Sequence, residues 1–563
     1  MMAGRQFREW VPFALFLASG LFGYVLESVG YFTMLPGDLG DSRFNSVVLE
    51  HLFRWWTGSA GSLWSPGYFY PFQGGLAFSD NHFGTSIFYV PFRLMSFDRE
   101  TAFAFWFVTG NVLNFIAAWY ALRRIGFSGF SAAAGAFVFA FSLPVLAKEM
   151  HVQLVYRFAI PLAFSSFLRF IRTGDRMALW LVTLWLFVQF LCSVYLGFFL
   201  FYLLLAATAA VVAGRRLSLV PIVERSAYKN SGYSAREVAV AAVAVLSGIS
   251  VAWMFFMYFS VSQEYGFSRP ISTIKTMLPR LSSYLLADRA ALSSWPGRII
   301  EGIPMRHEHQ MFFGYGVWVL LVVGAVATQI RGVMRSTGFI ALVSLVLLVF
   351  GTLSVGGFSL YLLPANIPGL NAVRAVARIV LVMMMPVSIL VAAGVDVLAM
   401  GGLPLRQRTA SGTVTALLVF LGLSAETAAY KPYHAAFSAW KEREAAVLRC
   451  LPDDMDEDAI LAVQMPEGEP FYLAEIDGMI VAQELGVATV NGYSGNEPPG
   501  HVRPLIREFA AGNLDSYGAF YGLPAERVAA LKRRIVLVSP GRCRQEGRRG
   551  GPDGAEDALS AGQ

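Results

Sequence analysis

Charge is what this sequence has least of. Only 15% of its 563 residues are Asp, Glu, Lys or Arg, where soluble domains carry about 25%. With 56% of the chain hydrophobic, that deficit excludes a soluble enzyme, a disordered chain and a coiled coil. Cysteine is scarce too: three residues exclude a disulfide scaffold and a cysteine-rich zinc module. No internal repeat is visible. What remains is a polytopic membrane protein. The net charge of +6 suggests nucleic acid at first sight, but cytoplasmic loops of membrane proteins retain Arg and Lys. No nucleic-acid partner is expected.

A spanning helix needs about 20 mostly apolar residues. Eleven segments qualify: 11–33, 101–122, 130–147, 158–172, 177–193, 194–214, 238–260, 312–329, 338–356, 376–399 and 412–430. The first is too long for a cleavable signal peptide and holds Glu27. With Arg5 and Arg8 placed in the cytoplasm, alternate loops carry Arg123 and Arg124, then Arg169, Arg172 and Arg176. Arg215, Arg216, Arg225, Lys229 and Arg236 follow, then Arg331 and Arg335, then Arg406 and Arg408. Every inside loop is basic, as the positive-inside rule requires. Eleven spans put the C-terminus outside.

The expected fold is therefore an all-α polytopic bundle of about 11 transmembrane helices, followed by a small α/β extracytoplasmic domain. Residues 1–430 form the membrane domain, with long external loops at 34–100, 148–157, 261–311 and 357–375. Loops of that length usually carry function. Residues 431–545 form the soluble domain, with strands at 459–465 and 535–539 and helices at 471–485 and 525–534. Cys450 and Cys543 share it and can pair in an oxidising compartment. Residues 546–563 are Gly, Ala and charge, a disordered tail by composition.

The chemistry-bearing residues gather in the external loops. Asp38 and Asp41 follow the first span, with Arg43, Asn45, Glu50 and His51 behind them. One carboxylate can serve as general base towards a hydroxyl. Two together can hold a hard divalent cation, magnesium or manganese. Arg43 can keep a carboxylate ionised. The competing reading is a turn or helix cap. Asp80 and His82 can extend the acidic site, although Ser79-Asp-Asn is also turn chemistry. In the second loop, Glu149 and His151 can present two ligands to one ion. His307, Glu308 and His309 make the densest metal-capable cluster, without the spacing of a zinc protease. Arg374 and Arg378 open the tenth span on the side where basic residues are sparse. Four residues apart, they would share a helix face, and Arg suits bidentate phosphate binding.

Taken together, the layout resembles the GT-C superfamily of integral-membrane glycosyltransferases, which includes protein O-mannosyltransferases and oligosaccharyltransferase catalytic subunits. The resemblance rests on Gly37-Asp38, Asp41-Ser42-Arg43-Phe44-Asn45, Glu50-His51, Tyr70-Pro71, Ser79-Asp80, Arg374 and Arg378, and Asn491–Gly495 with Pro498-Pro499. It implies that Asp41 or Asp38 is the catalytic base or metal ligand and that Glu149 and His151 form the second loop motif. Arg374 or Arg378 would hold the phosphate of a polyprenyl-phosphate sugar donor. The acceptor would be an envelope glycan, lipid or protein, and the setting the bacterial cytoplasmic (inner) membrane and its lipids. Two departures stand out: the first motif is not an adjacent Asp-Glu pair, and the second has His where an acid is common. Two rival readings stay open. One is a non-catalytic envelope assembly protein; the other is a transporter or flippase of lipid-linked glycans, although the spans hold few of the midplane polar groups a transporter uses.

Overall fold

The computed structural model describes residues 2–221, 233–330, 332–363, 373–400, 410–503, 507–540 and Cys543. Arg225, Lys229, Arg331, Arg406 and Arg408 of the expected basic loops lie outside them, as does the 546–563 tail. The chain is mostly helical and forms two compact units. The first comprises Met1–Gly37, Asn81–Phe259 and Ser268–His434; the second comprises Asp38–Asp80, Ser260–Phe267 and Ala435–Gln563.

Eight helices among the described residues are long and apolar enough to cross a membrane: Glu9–Ser28, Arg99–Ile125, Gly129–Leu146, Val152–Thr173, Val194–Arg216, Ala235–Tyr265, Met334–Thr352 and Val376–Ala399. Each falls on an expected segment. The other three segments coincide with shorter apolar helices, Arg176–Cys192, Tyr315–Gln329 and Gly412–Ala428. Local chemistry sets several boundaries. Asp98 accepts from the Thr101 amide to start one helix, Ser128 from Ser131 and Asp175 from Met177 to start two others. Gly174, at φ +67°, ends the Ala159–Thr173 helix in the left-handed conformation that glycine adopts without strain. Glu426 accepts from the Tyr315 and Gly316 amides, so a carboxylate closes the positive end of the Tyr315–Ile330 helix.

The Val376–Ala399 segment is the hub of the first unit and is buried from Val376 to Val395. Small residues let its neighbours close in. A Cβ on Gly324 would stand 1.8 Å from the Leu390 carbonyl, and one on Gly394 would stand 2.3 Å from that of Leu320. In lipid, where helices gain little from hydrophobicity alone, such close backbone contact is a main source of association. The Gly129–Phe141 helix packs on the same hub through Gly135, whose Cβ would meet the Ser388 carbonyl.

The second unit is α/β. Its sheet has three parallel strands, with Ile460–Val463 between Ala488–Thr489 and Ile535–Val538. All four residues of the central strand are buried, as expected of a parallel strand covered on both faces. Period-two alternation divides them. Leu461 and Val463 pack with Val447, Ala474 and Val481; Ile460 and Ala462 pack with Ala510, Leu514 and Val528. Thus helices Phe437–Leu448 and Phe471–Leu485 cover one face, while Arg507–Tyr521 and Ala525–Arg533 cover the other. Residues 67–70, distant in sequence, extend the ladder: the Phe69 and Tyr70 amides donate to the Asn491 and Thr489 carbonyls. Cys450 and Cys543 form a disulfide.

Candidate functional sites in the two units

In the α/β unit, Asp38 and Asp41 stand at the start of helix Asp41–Trp56. Asp38 Oδ1 accepts from the Gly40 amide at 3.0 Å, closing the turn that launches the helix. Asp41 is the first helical residue, near the positive end of the helix dipole. Its Oδ1 accepts from the Tyr493 hydroxyl at 2.7 Å. The Tyr493 ring meets Tyr472 and Phe44, with centroids 6.0 and 5.6 Å away. Burial and the charge of Asp41 hold the Tyr493 phenol well above its ordinary pKa, so it stays a donor. Burial and the charges of Asp38 and Asp41 likewise raise Tyr472. Both carboxylates therefore face the same pair of tyrosines.

Arg43 does not attend these aspartates. It is fully buried, with Nη2 2.5 Å from Asp477 Oδ1 and its guanidinium 5.7 Å from the Trp440 ring centre. Asp477 also takes Arg443, which reaches Glu469 at 2.7 Å. This ion chain is structural. Asp80 is half-buried in the same unit. His82 belongs to the helical unit and is fully enclosed: its Nδ1 lies 2.9 Å from Thr85 Oγ1, and its ring packs on Trp106. Burial lowers its pKa to about 3, leaving a neutral packed imidazole.

In the helical unit, Glu149 and His151 part company. Glu149 is buried, accepting from the Tyr433 amide at 2.6 Å and the Tyr24 hydroxyl at 2.9 Å. Burial raises its carboxyl to about 8 against those hydrogen bonds. His151 turns to Glu308 instead, with Nε2 3.1 Å from Oε1. His307 completes a group whose ligand atoms all lie within 4.8 Å of one another. His309 is excluded from it: both ring nitrogens are engaged at 2.8 Å, one by Ser283 Oγ and one by the Thr276 carbonyl.

Glu308 gathers cations as well. Arg378 Nη2 lies 2.5 Å from Oε1, its Nε lies 3.1 Å from Oε2, and Lys148 Nζ lies 3.5 Å from Oε2. Burial alone would raise the Glu308 carboxyl, but Arg378, His151 and Lys148 bring it well below the carboxylate range. Burial and the charge of Arg378 lower Lys148 to about 8, although Glu308 opposes them. Arg378 lies over the Tyr195 ring at 5.2 Å, and the Tyr195 hydroxyl meets the Arg374 amide at 3.4 Å. Burial, Arg374 and Arg378 pull the Arg269 guanidinium below its ordinary value. Arg378 and Lys148 thus flank Glu308 with His151 beside them, and Arg374 and Arg269 are felt through Arg378 and Tyr195.

The expected shared helix face of Arg374 and Arg378 is not how they meet. Arg374 precedes the helix, residues Val376–Ile379 form a tighter 3₁₀ turn, and the α-helix begins at Val380. Tyr195 brings the two together instead. Lys148, Tyr195 and Arg269 escaped sequence reasoning, although Lys148 adjoins a singled-out motif.

Oxygen donors and modest dehydration suit magnesium or manganese, and the Asp38–Asp41 pair supplies such donors. The His151–His307–Glu308 group fits those ions poorly. Two of its donors are imidazoles, and its carboxylate is shared with Arg378 and Lys148, whose charges repel a cation.

Among curated proteins, none matches the chain. It is similar to the Archaeoglobus fulgidus oligosaccharyltransferase solved in complex with zinc and sulfate, at 12% identity and a TM-score of 0.45. That alignment covers 94% of this chain and 67% of the other, a likeness too distant to carry a fold assignment. The model of a domain of unknown function, DUF6311, matches residues 14–422, and the chain belongs to that family.

Proposed function

We propose that this protein is a membrane glycosyltransferase of the GT-C type, moving a sugar from a polyprenyl-phosphate donor to an envelope glycan, lipid or protein acceptor. The observation that carries the reading is the cationic group of the helical unit: Lys148 and Arg378 on Glu308, with Arg269 feeling the charges of Arg374 and Arg378. Clustered guanidinium groups of this kind suit a phosphate, which offers them charge and paired acceptor oxygens. Glu308 anchors Arg378, and Arg374 and Arg269 take the donor phosphate. A lipid-borne donor suits a group at the start of a membrane span.

Asp41 is the acceptor's base. As the acceptor hydroxyl attacks the anomeric carbon, its proton passes to the Asp41 carboxylate and the bond from that carbon to the phosphate oxygen breaks. The departing phosphate keeps the electron pair. The Tyr493 hydroxyl keeps Asp41 oriented. A divalent cation, where the reaction uses one, would be held by Asp38 and Asp41 and would supply electrostatic stabilisation of the phosphate.

Eleven spans, a cytoplasmic N-terminus and an external α/β unit in the bacterial inner membrane complete the reading. The basic loops support that orientation. The Cys450–Cys543 disulfide supports it too, since such bonds persist in oxidising compartments.

The test is a mass-spectrometric profile of envelope glycans and lipid-linked sugars in a deletion strain. The strain is complemented with wild type, Asp41→Asn or Asp38→Asn at matched expression. The expected result is loss of one glycan species that wild type restores and Asp41→Asn reduces by roughly a hundredfold or more. Full restoration by both variants would sink the transferase reading and leave assembly or transport in its place.

A further inference from the structure

Tyr493 reaches Asp41 from a turn whose anchor lies outside the turn itself. Asn491 is fully buried and imitates a strand: its Oδ1 accepts from the Val463 amide at 2.7 Å and its Nδ2 donates to the Val463 carbonyl at 3.1 Å. The same Nδ2 donates to Glu475 Oε2 at 3.0 Å, and the Gly492 amide donates to that oxygen at 2.9 Å. Glu475 is 3% exposed, on helix Phe471–Leu485. There is no slack around the turn. A Cβ on Gly492 would stand 2.2 Å from the Phe69 ring, and one on Gly478 would stand 2.5 Å from Asn491 Oδ1. The next residue after Gly492 is Tyr493, with its hydroxyl on Asp41.

We propose that Glu475 is a positioning residue for Asp41: one buried carboxylate oxygen fixes Asn491 and Gly492, and so fixes the Tyr493 hydroxyl against the Asp41 carboxylate. The inference rests on the reading of Asp41 as the base. The geometry calls for a buried acceptor here. If Glu475 were removed, the Gly492 N–H would lose its side-chain acceptor and Asn491 Nδ2 would keep only the Val463 carbonyl. Burial raises the Glu475 carboxyl to about 7, against the Gly492 and Asn491 hydrogen bonds and the charge of Arg503, while Glu497 raises it further. Asp477, one turn region away on the same helix, is committed to Arg43 and Arg443.

The test uses the full-length chain in detergent, with Glu475→Ala, Glu475→Gln and Tyr493→Phe. Hydrogen exchange is followed by mass spectrometry in peptides covering 488–495 and, as a control, 460–463. Each variant is also scored in the glycan complementation. Glu475→Ala should speed exchange at Gly492 and Tyr493 roughly tenfold or more, leave the central strand protected, and lower product roughly tenfold or more. Glu475→Gln, which keeps an acceptor, should restore both. Tyr493→Phe should keep the turn protected while lowering product. The proposal is overturned if Glu475→Ala leaves the turn as protected as wild type. It is equally overturned if the central strand opens alongside the turn, or if Glu475→Gln fails to rescue. If Asp41→Asn itself restores the glycan profile, the Asp41 reading fails on its own, and the exchange data still decide whether Glu475 holds the turn.

Discussion

Glu149 and Glu308 are both about 97% enclosed in the helical unit, and they are held in opposite states. Glu149 is met mainly by dipoles, the Tyr433 amide and the Tyr24 hydroxyl, with the charge of Arg289 a lesser pull, and burial wins: its carboxyl rises to about 8. Glu308 is met by charges, Arg378 and Lys148 with His151 beside them, and the charges win: it stays ionised. Equal burial therefore does not mean equal charge. What decides is whether the partners are cations, because a Coulomb interaction in a poorly screened interior outweighs a neutral hydrogen bond. Only Glu308 can hold an arginine in place by charge.

The largest expected effect breaks the ionised half of this pair. Glu308→Gln strands Arg378 and Lys148 without their counter-charge and should cost about 3–5 kcal/mol, read as a lowered melting midpoint of the full chain in detergent. A cost as small as that of a surface change would refute the ionised state. Lys148→Met is milder, because Arg378 still neutralises Glu308; about 1–2 kcal/mol is expected from the lost charge-assisted contact. Glu149→Gln should be smallest at pH 7, within about 1 kcal/mol, since an amide replaces a carboxyl that is already neutral.

The same comparison has a pH signature. Glu149 binds its proton more tightly folded than unfolded, so its stabilising contribution is complete below pH 4.5 and is lost as pH rises through about 8. Glu149 therefore contributes a fall across that window, and Glu149→Gln should remove that contribution, so the wild-type curve minus the variant curve falls with pH. Lys148 titrates near 8 when folded against 10.5 when free, so its part of the slope has the opposite sign and lies between pH 8 and 10.5. A Glu149→Gln variant whose slope between pH 5 and 8 equals that of wild type would contradict the protonated Glu149.

The helices were legible because apolar runs announce themselves, and each expected segment holds one. The strands at 459–465 and 535–539 were legible for a similar reason: short apolar runs between turn residues hold Ile460–Val463 and Ile535–Val538. Side-chain partners were not. Nothing local says that Glu149 points to Tyr24 while His151, two residues on, points to Glu308. An irregular loop has no fixed period from which a direction could be read. Nor could spacing place Arg374 beside Arg378, because the argument assumed a helix that begins only at Val380. Asp41 was visible as a residue at a helix start; its tyrosine, more than four hundred residues later, was not.

That distance has a consequence for how the protein is made. Arg43 and Asp477 are 434 residues apart, and ribosomes add about 5–20 residues per second. For on the order of a minute after Arg43 emerges, its counter-ion does not yet exist. The segment from Asp38 to Asp80 must wait in that interval with a cationic side chain that its final fold will enclose, while the spans between are inserted. Assembly of the α/β unit is therefore bound to be among the last events of biogenesis. A ribosome stalled after the final span would leave a chain whose membrane part is complete but whose first acidic segment is unclosed, a natural target for chaperones and proteases.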